Sequence, residues 1–336
     1  MWTKRKHHKV FSRFHRWSGR VPAGFDGDFL GTRYKTEYYT MWPPQPQERY
    51  AAPDHPAFDE EYFEWIDLLE AAASAKNRFT MMELGAGFGR WTARAAAAAQ
   101  QLGLPYFLVA VEAEPTHFEW LIQNLQDNEV KPEDCRLIHA AVTGKDGTVG
   151  FHVGDPANDY GQSIGGSTEI QAVSLSTLLL PLNLVDLIDL DIQGAELEVL
   201  EAASAPLVQK VKRVHVETHS ARVHSGVHGL FRTLGWKPHF LFSGNSADTT
   251  PWGRIDFQGG TQSWLNPRLC SKSELRHTRT IRNSAPWRTV DLARRVLDHV
   301  APAGTLLRKV HNATLSGLGR KYRRDPEEAA RRPMGW

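Results

Sequence analysis

The feature that most constrains the fold is a short apolar run that leads into closely spaced glycines and then into a helix pattern. Residues 79–84 are apolar enough for a buried strand, and Gly85, Gly87 and Gly89 follow at every second position. An alanine-rich helix pattern then extends to Gly103. A glycine turn between strand and helix lets the backbone approach a ligand closely. The sequence therefore predicts a strand–turn–helix unit with a ligand-binding turn.

Strand-like and helical patterns continue to alternate along the chain. An amphipathic helix is predicted over 57–74. The strand-like runs, in chain order, are 79–84, 106–111, 136–140, 185–192, 211–217, 236–242 and 252–257. Strands separated by helices predict an α/β fold, a doubly wound parallel sheet with helices on both faces. We interpret the last two runs as a closing β-pair, and the glycine-rich stretch 143–172 as an inserted strand, 148–153, within a mobile loop.

Composition excludes several other classes of protein. No apolar run approaches the roughly 18 residues that a membrane-spanning helix needs. Cys135 and Cys270 are far apart and belong to no C-x-x-C pair, which argues against a zinc ribbon and fits a reducing compartment. The basic N-terminus has no apolar stretch behind it, so it does not resemble a secretory signal. We therefore expect a cytoplasmic protein.

Charge is distributed unevenly along the chain. Residues 1–20 hold seven Lys or Arg and no acid, and 271–336 hold fifteen bases and six acids. The segment between them has a net charge of −14, although the whole chain has only +2. The simple interpretation is solvated, partly disordered tails. The alternative is attraction to an anionic partner, such as a nucleic acid, a membrane surface or an acidic glycan.

These observations divide the chain into three predicted segments. They are a basic N-terminal extension and linker at 1–56, a ligand-binding α/β domain at 57–267, and a basic, partly helical C-terminal extension at 268–336 with a helix at 290–300.

Two acidic residues indicate which ligand the glycine turn binds. Glu112 ends the next strand, 23 residues after Gly89, where a carboxylate can accept hydrogen bonds from a ribose diol. The glycine spacing is G-x-G-x-G, whereas dinucleotide sites use G-x-G-x-x-G. Glu83 would repel a pyrophosphate but suits a cationic ammonium and sulfonium. S-adenosylmethionine is therefore favoured over NAD. The alternative for Glu83 is a helix-dipole or salt-bridge role.

Four motifs in this sequence resemble the FkbM family of S-adenosylmethionine-dependent methyltransferases. They are ELGAGFG at 83–89, VEAEP at 111–115, VDLIDLDIQGAE at 185–196 and VHVETH at 214–219. The resemblance covers roughly 75–260. It implies a class I methyltransferase (Rossmann-like) fold, with a seven-stranded sheet whose last strand is antiparallel. It also implies O-methylation of sugars or other hydroxylated small molecules.

The resemblance also implies cofactor-binding residues. The methionyl part would be held by Glu83, Gly85, Ala86, Gly87 and Gly89. Glu112 would bind the ribose hydroxyls, and the segment Tyr160–Ser163, which includes Gln162, would cover the adenosine or the acceptor. Two positions depart from the family pattern, since Asp189 stands where Lys is common and Gln193 where Glu is frequent.

Polar residues follow the fourth and fifth predicted strands. Asp191 ends the fourth strand, and Glu217 and His219 end the fifth. Gly194 allows a tight turn that would bring Glu196 to the same edge. Because ligands of open α/β sheets bind at the carboxyl ends of strands, these residues are the candidate catalytic cluster.

Three roles for this cluster remain open. His219 is one candidate base, because an ordinary histidine pKa of about 6.5 leaves the ring mostly neutral near pH 7. Asp191 and Glu217 are alternatively candidate Mg²⁺ ligands. The third alternative is structural, with Asp191 or Glu196 capping a helix and His219 bonding to backbone groups. His215 shares a strand face with Glu217 but lies deeper, and we interpret it as a hydrogen-bonded structural residue.

The favoured function is an S-adenosylmethionine-dependent O-methyltransferase that acts on a hydroxyl of a sugar or glycosylated small molecule. One alternative keeps the cofactor but places the methyl group on RNA or protein recruited by the basic tails. Another is a non-catalytic cofactor-binding module, which the departures at Asp189 and Gln193 keep open.

Overall fold

The computed structural model describes residues 6–277, and a seven-stranded sheet lies at its centre. The strands, in chain order, are β1 (Phe79–Leu84), β2 (Tyr106–Glu112), β3 (Cys135–His139), β4 (Leu187–Leu190), β5 (Arg213–Thr218), β6 (Lys237–Phe242) and β7 (Gly260–Leu265). Their order across the sheet is β6–β7–β5–β4–β1–β2–β3. β7 is antiparallel to both neighbours, and the other neighbouring pairs are parallel. The strand order reverses between β1 and β4, where open α/β sheets bind their ligands.

Helices cover both faces of this sheet. In chain order they are α1 (Tyr62–Ser74), α2 (Arg90–Gln101), α3 (Pro115–Asp127), α4 (Leu175–Leu179), α5 (Glu196–Ala202), α6 (Ser204–Lys210), α7 (Ala221–Thr233) and α8 (Lys272–His277). One apolar cluster joins α1, α2 and α3 to one face of the sheet, where Met81 of β1 points. A second cluster joins α4 to α7 to the opposite face, where Met82 points. The predicted doubly wound α/β sheet is therefore confirmed.

The predicted closing β-pair is wrong. β6 pairs with β7, a strand that the sequence analysis missed, and not with 252–257. Gly253–Phe257 instead forms a hairpin with Ser246–Thr250. β7 escaped detection because its centre is polar: Gln262 and Ser263 are fully buried. The Gln262 side chain donates a 2.7 Å hydrogen bond to a backbone carbonyl of α7. This hydrogen bond offsets the cost of burying a polar side chain, so β7 is buried although its sequence is not apolar.

The inserted region contains more regular structure than predicted. The predicted strand at 148–153 is present as Gly147–Phe151. It pairs with Thr168–Ser174, which lies at the centre of a three-stranded sheet whose other edge is Ala141–Thr143.

The charge of the N-terminal segment favoured the interpretation of a solvated tail. From residue 6 onward, the structure instead shows a segment packed against the rest of the protein. Val10, Phe11 and Phe14 are buried in the apolar cluster that includes α1. The ring of Phe11 stacks on Tyr62 with 5.3 Å between ring centroids, and the Tyr62 hydroxyl accepts a 2.8 Å hydrogen bond from the backbone N–H of His8. The segment is therefore part of the folded core, because apolar side chains alternate with its basic ones.

Other predictions about the ends of the chain lie largely outside the described residues. These include the helix at 290–300 and nearly all of the C-terminal extension. The predicted segment boundaries at 56 and 267 lie within the described residues and stay predictions. Within residues 6–277, none of the helices combines the length and the apolar character needed to cross a membrane.

Candidate active site

The glycine turn packs directly against the end of β4. Gly85, Gly87 and Gly89 all have positive φ, of 86°, 53° and 75°, a conformation that glycine adopts at little cost. A Cβ atom on Gly85 would overlap the carbonyl oxygen of Asp191. The backbone N–H groups of Gly85 and Ala86 both donate to the Val111 carbonyl at 3.0 Å, which fixes the turn beside the end of β2.

Glu112 joins the end of β2 to the glycine turn. One carboxylate oxygen accepts a 2.6 Å hydrogen bond from the backbone N–H of Gly87. The other accepts from the N–H groups of Ala113 and Glu114, at 2.8 and 2.7 Å. Glu112 is buried, and burial raises its pKa to about 7. The structure thus brings together the turn and the acidic residue that the sequence assigned to one site.

Glu83 is engaged by α2. Its carboxylate accepts hydrogen bonds from the backbone N–H of Trp91 at 3.3 Å, and from both the backbone N–H, at 2.7 Å, and the hydroxyl of Thr92. Burial and the neighbouring Asp189 raise the pKa of Glu83 to about 8. These contacts correspond to the helix-terminus role that was the alternative for Glu83, and its role toward the methionyl group stays a prediction.

Asp189 shares a hydrogen bond with Glu64 of α1 inside the protein. Burial and the Asp189 carboxylate raise the pKa of Glu64 well above its usual value. Burial also raises the pKa of Asp189, so both members of this buried carboxyl pair disfavour the charged form.

The segment that follows the inserted strand covers the glycine turn. A Cβ atom on Gly87 would lie 3.2 Å from the ring of Tyr160. That ring stacks on His117 with 4.3 Å between centroids, and its hydroxyl donates a 2.7 Å hydrogen bond to the Tyr38 carbonyl. Gln162 is buried, and its amide donates to the Asp159 carbonyl at 3.0 Å. Its amide oxygen has no hydrogen-bond partner among residues 6–277.

Three polar residues converge at the ends of β4 and β5. His219 Nδ1 lies 2.9 Å from Glu196 Oε1, and His219 Nε2 lies 3.3 Å from Asp191 Oδ1. Glu196, the first residue of α5, is fully buried, whereas the Asp191 side chain is 43% exposed. The sequence analysis placed Asp191 and His219 in one cluster and Glu196 at the same edge, and the structure brings all three into contact.

Gln193 holds Asp191 in place. Its side-chain amide donates a 2.9 Å hydrogen bond to Asp191 Oδ1. Its φ is +55°, which is uncommon for a residue with a side chain and often marks a functional site. The Gln193 amide thus donates a hydrogen bond to the cluster. The glutamate carboxylate that is frequent at this position in the FkbM family could not do so.

Glu217 lies near this cluster but outside its compact core. Among the described residues, Asp191, Glu196 and His219 form one compact group. Each offers a nitrogen or oxygen atom that could bind a metal, and these three atoms lie within 4.8 Å of one another. Burial and the Asp191 carboxylate raise the pKa of Glu217 to about 8. The structure therefore groups Asp191 with Glu196 and His219 rather than with Glu217, the partner expected for a Mg²⁺ site.

The charge of His219 differs from the expectation. Burial lowers its pKa, but the hydrogen bond to Glu196 and the Asp191 carboxylate outweigh this effect and raise the pKa to about 9. A raised pKa favours the positively charged form of His219 at pH 7 over the neutral form that a histidine base requires, and the catalytic role of His219 stays a prediction. The surrounding protein partly shields the 43% exposed Asp191 side chain from water and raises its pKa to about 6, although His219 opposes the shift.

His215 has the structural role that its depth in β5 predicted. Its Nδ1 lies 2.7 Å from a carboxylate oxygen of Asp67, which is fully buried in α1. Arg213 and His239 bond to the other oxygen of Asp67. Three basic side chains thus surround one buried carboxylate and join α1 to the sheet.

Known proteins with similar sequences and folds carry methyltransferase descriptions. Residues 83–235 match the model of the methyltransferase FkbM domain. A "Putative methyltransferase" of Jannaschia sp. (strain CCS1) is 25% identical over 189 residues, which cover 52% of this chain and 67% of that protein.

Two of the similar solved structures are methyltransferases. Methyltransferase FkbM from Methylobacillus flagellatus KT is 11% identical at a TM-score of 0.41, with 62% of this chain and 55% of that chain covered. Precorrin-6y C5,15-methyltransferase from Geobacter metallireducens GS-15 is 12% identical at a TM-score of 0.37, with 64% and 92% covered. The sheet with its antiparallel β7 is the class I methyltransferase fold. Over residues 83–235, the chain is therefore similar to the methyltransferase FkbM domain.

Proposed function

We propose that this methyltransferase uses S-adenosylmethionine to methylate a hydroxyl group of a sugar or a glycosylated small molecule. The observation that supports this most directly is the position of His219, held between Asp191 and Glu196 beside the glycine turn. The match of residues 83–235 to the methyltransferase FkbM domain supports methyl transfer, and the cofactor, the accepting atom and the acceptor class are our proposal.

The residues at the glycine turn fit S-adenosylmethionine. The absence of side chains at Gly85 and Gly87 lets the turn pack closely against the Asp191 backbone and the Tyr160 ring, so the turn, the end of β4 and the covering segment meet at one place. The buried amide oxygen of Gln162, which lacks a partner among the described residues, is an acceptor for an amino group such as that of adenine. Glu112 accepts three backbone hydrogen bonds and its carboxylate has capacity for a fourth, from a ribose hydroxyl. When bound, the cofactor supplies an electrophilic methyl group.

The polar cluster provides the groups that an accepting hydroxyl needs. A hydroxyl becomes a good nucleophile only as its proton is lost. Asp191 is half-exposed and, with a pKa of about 6, is largely ionised at neutral pH, so its carboxylate can take that proton. His219 stays positively charged and stabilises the negative charge that develops on the oxygen.

Glu196 and Gln193 position these two groups. Glu196 is fully buried and fixes the imidazole ring through Nδ1, while Gln193 fixes the Asp191 carboxylate. Fixed polar groups stabilise developing charge without the cost of reorienting during the reaction. We therefore assign the role of proton acceptor to Asp191 rather than to His219.

The acceptor class is supported by the family resemblance and by aromatic residues beside the turn. Tyr39 packs edge-on against Tyr160, and Trp42 packs edge-on against Phe88 of the glycine turn. Tyr39 and Trp42 are only partly buried. Aromatic faces of this kind offer amphipathic contact area to a ligand such as a sugar ring.

Two measurements on the full-length protein test the proposal. Calorimetry with S-adenosylhomocysteine should show one binding site per chain, and no binding at high concentration would overturn the cofactor assignment. Methyl transfer from labelled cofactor to a panel of sugars and glycosides should then identify acceptors. Label in RNA or protein instead would support the alternative acceptors, and cofactor binding without turnover on any class would support a non-catalytic module.

A further inference from the structure

The side chains of Asp191, Glu196 and His219 come from three separate elements. Asp191 directly follows β4, Glu196 begins α5, and His219 lies between β5 and α7. One candidate ligand atom from each lies within 4.8 Å of the other two. The convergence is therefore a product of the whole fold and not of neighbouring positions along one element.

The separation of two of these atoms suits a shared metal ion. His219 Nε2 and Asp191 Oδ1 are 3.3 Å apart. Nitrogen and oxygen ligands bind ions such as Zn²⁺ at about 2.1 Å, and two such bonds enclose an angle of about 100° at this separation. This angle is close to tetrahedral, so these two atoms can bind one ion with little movement.

Glu196 provides an independent indication that a cation binds here. Its side chain is fully buried, and Oε1 contacts His219 Nδ1 and accepts from the backbone N–H of Gly194 at 2.9 Å. Its second oxygen, Oε2, is buried without any hydrogen-bond partner in the described part of the chain. A buried, unsatisfied carboxylate oxygen is costly, and a cation nearby would offset that cost.

The donor set indicates which kind of ion. Mg²⁺ prefers oxygen ligands and keeps several waters, so the imidazole of His219 does not suit it. A mixture of imidazole and carboxylate is typical of sites for ions such as Zn²⁺ and Mn²⁺.

We propose that Asp191, Glu196 and His219 form a binding site for one divalent transition-metal ion, which takes the place of the proton on His219 Nε2 and releases that proton to solvent. Glu196 either binds the ion itself or orients the His219 ring through Nδ1, the arrangement in which a carboxylate holds a metal-binding histidine. The consequence for catalysis rests on the proposed function: the ion would hold the oxygen of the accepting hydroxyl and lower its pKa. Binding of the ion itself is independent of that function.

The test uses full-length protein treated with a chelator and titrated with Mn²⁺. Loss of the electron paramagnetic resonance signal of free Mn²⁺ measures binding, and displacement by Zn²⁺ measures competition. We expect one Mn²⁺ per chain, and at least a tenfold weaker affinity in both H219A and E196Q. E198Q is the matched control, because Glu198 is an exposed carboxylate on the same helix, and its affinity should equal that of the wild type.

Two results would overturn this inference. One is the absence of stoichiometric Mn²⁺ or Zn²⁺ binding, and the other is wild-type affinity in H219A and E196Q. Because a change at the buried Glu196 can affect folding, thermal melting is recorded for each variant, and D191N gives a second test at a half-exposed position. Calorimetry with S-adenosylhomocysteine, with and without Mn²⁺, separates the two proposals. Cofactor binding without metal binding rejects only the metal site, and the reverse result rejects only the proposed function.

Discussion

Gly85 and Asp191 are in such close contact that the first residue of the glycine turn has no room for a side chain, because the carbonyl oxygen of Asp191 occupies the place of a Cβ atom. The contact joins the ends of β1 and β4, the two strands between which the sheet order reverses. The turn that we assign to the cofactor and the residue that we assign to the hydroxyl proton are therefore fixed relative to each other by backbone.

The substitution G85A should push the glycine turn and the Asp191 backbone apart. Alanine is strained at a φ of +86°, and its Cβ would also force the Asp191 backbone away. We expect a large loss of stability, about 3 kcal/mol or more, and loss of S-adenosylhomocysteine binding. Thermal melting and calorimetry measure the two effects.

A matched control isolates the contact from the backbone strain. Gly103 also has a positive φ, of 65°, but a Cβ atom there would meet nothing within 4 Å. G103A should therefore cost only the strain, about 1 kcal/mol, and leave ligand binding unchanged. Equal effects of the two substitutions would contradict the importance of the contact.

The N-terminal segment should contribute strongly to stability. The side chain of Phe11 is 2% exposed and stacks on Tyr62, so F11A should lower the free energy of unfolding by about 3–5 kcal/mol. The exposed apolar side chain of Met41, 57% exposed, provides the control, since M41A should change stability by less than about 0.5 kcal/mol. Denaturant unfolding of the full-length protein measures both, and a Phe11 effect as small as that of Met41 would mean that the segment behaves as a tail.

Much of the sheet could be predicted from sequence because most of its strands are apolar. β1 and β2 were located almost to the residue, since strands covered on both faces form continuous apolar runs. β7 was missed because Gln262 and Ser263 are polar although buried. The burial of Phe11 was missed because the basic residues around it dominate the charge of the segment, whereas the packing depends on its apolar neighbours.

The candidate site was predictable in position but not in protonation. Motif spacing placed Asp191 and His219 at neighbouring strand ends, which the parallel sheet brings together. The charge of His219 depends on its contact with Glu196, 23 residues earlier in the chain, and no local pattern reveals that contact. Likewise, the α2 contacts of Glu83 arise from the direction of its side chain after folding.

The cover formed by Tyr160 should contribute to cofactor affinity. Y160A removes the ring that packs over Gly87 and stacks on His117, and we expect S-adenosylhomocysteine to bind about tenfold more weakly. Y160F keeps the ring and loses only the hydrogen bond to Tyr38, so its affinity should be closer to that of the wild type. Calorimetry distinguishes the variants. Unchanged affinity in Y160A would show that this segment is not part of the cofactor site. Y50A is the control for loss of an aromatic ring elsewhere, because Tyr50 is 72% exposed.

Stability should fall as the pH rises from the acid range to about 8. Burial and Asp189 raise the pKa of Glu83 to about 8, above its value in the unfolded chain. A carboxyl with a raised pKa stabilises the fold fully below its unfolded pKa, near 4.3, and this contribution is lost as the pH rises through the folded value. One such group gives a slope of up to about 1.4 kcal/mol per pH unit.

The isosteric variant E83Q tests this assignment. Its amide does not titrate, so the decrease in melting temperature between pH 6 and pH 9 should be shallower than in the wild type. Glu217 and His219, whose pKa values are raised to about 8 and 9, contribute in the same direction and should leave a residual slope. A slope in E83Q identical to that of the wild type would show that Glu83 is ionised in the folded protein throughout this range.

The pH dependence of methyl transfer should identify the proton acceptor. In protein kept free of metal ions, if Asp191 takes the proton and His219 must be charged, kcat/KM should follow a bell-shaped curve, rising near the Asp191 pKa of about 6 and falling near the His219 pKa of about 9. D191N should reduce turnover by at least about 100-fold, typical of a lost general base, while the affinity for S-adenosylhomocysteine stays within about twofold. H219A should remove the decrease near pH 9, since no imidazolium remains to be deprotonated. A rate that rises through pH 9 in the wild type would instead make neutral His219 the base, because only the deprotonated ring can accept a proton.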